Sequence, residues 1–337
     1  MRLAVPTDLE PMEARLVEVL PREPGWQYEP KWDGFRCLVF RDGGEVELKA
    51  KSGKSLNRFF PDAVRTIAAL PMKKLVLDGE LLIAVDGSFS FEALQMRLHP
   101  AASRVAKLSA EQPATFVAFD CLLDARGKSL LAAPFERRRE ALETVFERTG
   151  EGDYFAPTPF TRDVKKADRW LKGAQVQTDG VIAKRLDLAY EAGERAMLKV
   201  KRLRTADCVV GGFRYESNSK LVGSLLLGLY DKQGLLHHVG FTSAIPAAEK
   251  AALTKKLEKL IWPPGFTGDA PGGPSRWSTE RTGEWEPLKP KLVVEVRYDH
   301  VTGGRFRHGT KLVRWRPDKA PRQCTFEQLK GPAREPR

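Results

Sequence analysis

The texture of the chain changes once, near residue 204, and that change limits the folds it can adopt. From Asp207 onward short apolar strands are joined by glycine-containing turns: CVVGGFRY, then GSLLLGLYDKQGLLHHVGF as a hairpin, and later LVVEVRYD. One helical pattern over 246–260 interrupts them, and a proline- and glycine-rich loop follows over 263–274. Short strands, one helix and a basic surface predict a small Greek-key barrel of the oligonucleotide-binding type, an OB-fold. Before Leu203 strands and helices mix. Strands are predicted over 75–84, 115–123, 180–185 and 197–201, with a hairpin over 35–48 about an Asp-Gly-Gly turn. Helices are predicted over 59–70, over 134–149 between a proline start and a Gly150 stop, and over 163–172, closing at Gly173. The expectation is an α/β (α+β) domain at 1–203 followed by an all-β domain at 204–337, and 337 residues suit two cores.

The charge follows the same division. Lys and Arg outnumber Asp and Glu by 56 to 44, a formal charge of +12. From Arg204 to the end there are 23 basic and 14 acidic residues, which leaves an excess of only 3 for the first 203 residues. A basic second domain favours a polyanionic partner such as nucleic acid. A 42% hydrophobic fraction implies a globular chain. Cys37, Cys121, Cys208 and Cys324 are far apart and form no CxxC pair, so neither a zinc knuckle nor a disulfide framework is indicated. No run approaches 18 apolar residues, and the first 25 residues lack a signal-peptide core. A cytoplasmic, nucleoid-associated protein without a membrane partner is the expectation.

Within the first domain the run EPKWDGFR, Glu29 to Arg36, sets Lys31 beside a proline and a tryptophan, with Asp33, Gly34 and Arg36 just downstream. Alone it reads equally well as an ordinary strand-edge lysine. Downstream come Asp78-Gly79-Glu80, Phe119-Asp120, Asp179-Gly180-Val181-Ile182-Ala183-Lys184, Lys199-Val200-Lys201 and, near the end, Arg314-Trp315-Arg316-Pro317-Asp318-Lys319. Each has a plain structural reading: a hairpin turn for Asp78-Gly79, a core aromatic for Phe119, a solvated strand face for Lys199 and Lys201, a generic basic patch for the last. The order and the domain division together are harder to reach by chance.

This ladder resembles that of the covalent nucleotidyltransferases, and within them the small two-domain bacterial ATP-dependent DNA ligases. The resemblance spans about residues 29–319. It implies that Lys31 is the nucleophile that takes AMP from ATP, that the AMP passes to a 5′-phosphate at a nick, and that the 3′-hydroxyl then displaces it. A lysine attacks phosphorus only when unprotonated, and Lys199 and Lys201 are the candidate cations that would favour that form. The same resemblance implies nucleotide-binding roles for Glu29 near the adenine edge, Arg36, Glu80, Phe119 stacked on the purine, and Lys184. It sets Lys51 where the family carries an arginine, and Asp179 where Glu is common. Glu80 and Asp179 are the expected ligands of Mg²⁺ (or Mn²⁺), a hard cation that takes one or two carboxylates. Arg316 and Lys319 would meet the departing pyrophosphate, oriented by Asp318, with residues 201–205 as the hinge.

The implied partner is nicked double-stranded DNA, with DNA-repair proteins as further partners and a monomer as the working form. Only 30 residues precede Lys31, which leaves no room for a large N-terminal DNA-clamping domain, and no polymerase or nuclease module is expected. The rival readings are an RNA ligase or mRNA-capping guanylyltransferase, and a non-catalytic OB-fold nucleic-acid-binding protein. His237-His238 shows no nearby acidic or cysteine partner in sequence and is read as structural. Trp262, Trp277 and Trp285 are read as packing the proline- and glycine-rich loop.

Overall fold

The computed structural model describes residues 1–124, 126–150, 152–172, 178–272 and 284–329. Gly173 and Trp277 therefore lie outside the described residues. The chain forms two compact units, Met1–Arg202 and Leu203–Arg337.

In the first unit the order is β1 (Ala14–Leu16), β2 (Trp26–Pro30), β3 (Phe35–Asp42), β4 (Glu45–Ala50), α1 (Pro61–Ala69), β5 (Lys74–Val85), β6 (Ser88–Phe89), α2 (Phe91–Arg97), α3 (Ala102–Glu111), β7 (Ala114–Cys121), α4 (Phe135–Thr149), β8 (Phe155–Pro157), α5 (Val164–Leu171), β9 (Gly180–Arg185) and β10 (Met197–Lys201). They form a larger sheet, β4-β3-β5-β7-β8, with β6 on β5, and a smaller one, β1-β10-β9-β2.

Strand β3 is buried on both faces. Cys37 and Val39 join the core under α1, α2 and α4, whereas Leu38 and Phe40 pack with Met12, Val76, Leu122 and Met197. That is why β3 reads as an unbroken apolar run rather than an alternation. In the smaller sheet Tyr28, Val181, Ala183 and Val200 pack against Ala167 and Trp170 of α5. Alternation then turns Gln27, Glu29, Ile182, Lys184, Met197 and Lys199 to the other face. The helix α5 starts where Asp163 accepts the Lys165 N–H at 2.8 Å. Helices α2 and α3, absent from the sequence expectation, have 7 and 10 residues, too few turns for a clear apolar period.

The second unit contains β11 (Arg204–Tyr215), β12 (Val222–Tyr230), β13 (Leu236–Thr242), α6 (Ala247–Glu258), β14 (Glu286–Pro287), β15 (Val293–Tyr298), β16 (Val301–Thr302), β17 (Arg305–Phe306) and β18 (Lys311–Trp315). Its strand order is β13-β12-β11-β15-β18, and a parallel bridge from Thr242 to Thr310 brings the two ends of that path together. With α6 between β13 and β15, this is the path of an OB-fold barrel. Leu225, Leu227, Val239 and Val294 fill its core. Among the described residues no helix is long and apolar enough to cross a membrane.

Candidate active site

A cavity of about 320 Å³ opens in the first unit, lined by side chains from both sheets. The smaller sheet contributes Glu29, Ile182, Lys184, Met197 and Lys199 from its polar face, and the larger contributes Arg36, Glu80 and Phe119. Lys31 and Trp32, between β2 and β3, complete the wall with Glu13 and Lys51.

The backbone of Lys31 is held at both of its polar groups. Its N–H donates to the Gly180 carbonyl at 2.9 Å, and its carbonyl accepts from Asp179 N–H at 3.0 Å and Thr178 Oγ1 at 2.9 Å. The side chain is held far less. Its Nζ lies 3.6 Å from Asp179 Oδ2 and donates to the Trp32 carbonyl at 3.3 Å. A fixed main chain with a lightly bonded amine suits a group that must reach a ligand.

On the larger sheet Arg36 and Glu80 face each other across β3 and β5. Arg36 binds Asp78 with both Nε and Nη2 at 2.5 Å, and Tyr190 adds its hydroxyl to Asp78 at 2.7 Å. Burial opposes the Arg36 charge, but Asp78 more than offsets it and the guanidinium stays ionised. Glu80 accepts from the Gly34 N–H at 3.1 Å. That approach requires glycine, since a Cβ on Gly34 would lie 2.3 Å from the Leu81 carbonyl oxygen. Burial pushes the Glu80 carboxyl up to about 7, against the pull of Arg36 and Lys31.

A β-bulge turns Phe119 into the cavity. Asp78 pairs with Asp120 but Gly79 pairs with Ala118, so Phe119 is the extra residue. Phe116 and Ala118 belong to the helical-side core, and after the bulge it is Cys121 that does. Gly79 is needed opposite, because a Cβ there would meet the Phe116 ring at 2.4 Å. Asp78-Gly79 thus lies inside a strand and is not a hairpin turn.

The remaining expected residues divide. Burial lowers the Lys199 pKa, helped by Lys201 and Lys31, so these lysines do feel one another. Lys201 is outside the cavity lining, paired in register with Gly180. Lys51 is exposed and bound to Glu13 at 2.8 Å. Glu13 escaped the sequence reading because it reaches the cavity through the parallel pairing of β1 with β10, which no local pattern announces. Glu29 and Lys184 form a buried pair at 2.7 Å.

Within the second unit Arg316 and Lys319 come together at Asp207, at 2.8 and 2.5 Å. Arg316 also binds Asp318 at 2.8 Å, and that contact draws the Asp318 carboxyl down to about 2. Asp318 was expected to orient both cations; the partner of Lys319 is instead Asp207, on β11 and remote in sequence. His237 does have acidic partners, Asp231 at 2.9 Å and Asp269 at 3.0 Å, brought in by the hairpin turn and the following loop. Trp285 packs on Phe266 with ring centroids 5.5 Å apart, whereas Trp262 is 62% exposed.

Comparison with known proteins adds a family to this geometry. Residues 9–201 match the model of an ATP dependent DNA ligase domain, and residues 218–319 that of an ATP dependent DNA ligase C terminal region. The chain is 45% identical to DNA ligase C2 of Mycolicibacterium smegmatis, covering 98% of this chain and 97% of that protein. It is 42% identical to DNA ligase C of Mycobacterium tuberculosis, covering 98% and 96%. Among solved structures, the ligase domain of M. tuberculosis LigD superposes with a TM-score of 0.51 at 30% identity, covering 95% of this chain and 98% of that one.

Proposed function

The chain belongs to the ATP-dependent DNA ligase family, and from that premise we propose that it seals 5′-phosphate/3′-hydroxyl nicks in duplex DNA through an AMP adduct on Lys31. The observation that carries the assignment is the lightly bonded Lys31 amine on a clamped backbone, at the wall of a cavity that also holds Arg36, Glu80 and Phe119.

In the first step the neutral Lys31 amine attacks the α-phosphorus of ATP. A P–N bond forms, the P–O bond to the β-phosphate breaks, pyrophosphate leaves and the amine proton is lost to solvent. In the second, an oxygen of the DNA 5′-phosphate attacks the same phosphorus and the lysine departs, regaining a proton. In the third, the 3′-hydroxyl attacks the 5′-phosphate, a phosphodiester forms and AMP leaves. Lys199 and Arg36 offer positive charge to the phosphates, and Phe119 an aromatic face to the base. Lys51 reaches the phosphates on release from Glu13. Arg316 and Lys319 assist pyrophosphate departure, with residues 201–205 as the hinge.

A divalent cation, Mg²⁺ or Mn²⁺, would be held by Asp179 and Glu80. Asp33 fits the same role, since its carboxylate and that of Asp179 approach within 4.8 Å and both offer the oxygen donors a hard cation takes. Such an ion supplies charge neutralisation at the phosphates. DNA repair, as a cytoplasmic monomer acting with other repair proteins, is the setting we propose.

The test is a sealing assay on a duplex with a labelled 5′-phosphate at a nick. ATP with Mg²⁺ should yield the joined strand. Sealing confined to RNA nicks, or labelling by GTP and not ATP, would contradict the proposal.

A further inference from the structure

Lys184 was expected to contact the nucleotide, yet its bonds point elsewhere. Its side chain is 3% exposed, and Nζ donates to Glu29 Oε2 at 2.7 Å and to the Phe119 carbonyl at 2.9 Å. The same ammonium lies 4.6 Å from the centroid of the Phe119 ring. A buried cation committed in this way ties β2 of one sheet to β7 of the other.

The second oxygen of Glu29 is also held. Gln27, fully buried and in register with Lys184, donates Nε2 to Glu29 Oε1 at 2.9 Å. The opposite amide orientation would set a carbonyl oxygen against the carboxylate, so the donor role is fixed even though Gln27 Oε1 finds no partner. With one donor on each oxygen, the Glu29 carboxylate cannot turn. It presents its remaining lone pairs at a cavity wall that includes Phe119, Ile182 and Met197.

That wall has a chemical preference. A flat heteroaromatic ring fits against the aromatic and aliphatic side chains, and a fixed carboxylate at its edge accepts from an exocyclic amine. Adenine offers a 6-amino donor there; guanine and hypoxanthine offer a 6-oxo acceptor, which leaves two acceptors facing each other. We infer that Lys184 and Gln27 are positioning residues for purine identity: they lock Glu29 as the acceptor for the 6-amino group, and Lys184 makes no contact with the triphosphate. The inference rests on the ATP-dependent reaction proposed above.

The experiment follows self-adenylation by intact mass against time for wild type, Lys184→Met, Lys184→Arg and Gln27→Leu. The nucleotides are ATP, GTP and purine riboside triphosphate, which lacks the 6-amino group. Wild type should prefer ATP over GTP by about 10⁴-fold in kcat/KM. In Lys184→Met the KM for ATP should rise about 10- to 100-fold, with the saturating rate nearly unchanged. The penalty for deleting the 6-amino group should largely disappear in that variant, because both changes remove one interaction. Lys184→Arg should restore part of the preference.

A triphosphate contact predicts otherwise: the saturating rate falls alike for all three nucleotides, and the two penalties multiply. That outcome overturns the inference. Should thermal melting show Lys184→Met unfolded, Gln27→Leu carries the test, since it keeps the Lys184–Glu29 pair. A smaller loss of preference supports the inference, and unchanged preference overturns it. Failure of the underlying reading has a separate signature, a wild-type protein that gains no mass with any nucleotide, which overturns both.

Discussion

Two lysines on neighbouring parts of one cavity wall behave as opposites. Lys184 is 3% exposed and held by two short bonds, to Glu29 and the Phe119 carbonyl. Lys31 is 20% exposed, and its ammonium meets only long contacts, 3.6 Å to Asp179 and 3.3 Å to the Trp32 carbonyl. The same residue type serves as a strut where its donors are committed and as a reactant where they are not. What separates them is the bonding each strand register permits, since Lys184 lies opposite Gln27 across the β2–β9 pair while Lys31 lies just past the end of β2.

Substitutions should separate the two roles. The largest expected effect is on chemistry: Lys31→Ala should lower self-adenylation and sealing by at least about 10⁴-fold. Its unfolding free energy in urea should stay within about 1 kcal/mol of wild type, as a half-buried ion pair at 3.6 Å contributes little. A comparable loss of stability would erase the contrast with Lys184. Lys184→Met should do the reverse, costing about 3–5 kcal/mol of stability because the Glu29 carboxylate is left buried without its cation.

Glu80 sharpens the comparison through pH. Its folded carboxyl holds a proton up to about 7, whereas the unfolded one releases it near 4.5. Between those values the folded state binds more protons, so this group's contribution falls as pH rises, and is fully unfavourable above 7. Glu80→Gln should therefore match wild type in stability at pH 4 and exceed it by about 2–3 kcal/mol at pH 8, read by urea titration. The same variant should seal poorly at both, if Glu80 must ionise to hold a cation. The smallest effect belongs to Glu13→Ala, which breaks an exposed pair with Lys51. Stability should change by less than about 1 kcal/mol. The KM for ATP should fall about twofold as Lys51 is released, measured in single-turnover adenylation.

Local signals were legible in the sequence. The hairpin β3–β4 turns at Gly43-Gly44, and the paired strands β9 and β10 begin at Gly180 and Met197, where an alternating apolar pattern resumes. The barrel strands were readable for the same reason, each an apolar run closed by a glycine-containing turn. What was not legible depends on register between distant segments. Phe119 turns into the cavity through a one-residue bulge, Lys319 meets an aspartate 112 positions earlier, and Glu13 arrives by parallel pairing. The short helices α2 and α3 carried too few turns to declare themselves. The role of Lys184 was hidden similarly: a motif names its residue type, and only its partners show which way its charge is spent.

The most direct measurement is a peptide map of the protein after incubation with ATP and Mg²⁺, run on wild type, Lys31→Ala and Lys184→Met. One adenylate on the peptide containing Lys31, retained in folded Lys184→Met and lost in Lys31→Ala, is the predicted result. An adduct on Lys184 or another residue, or one undiminished in Lys31→Ala, would contradict the assignment.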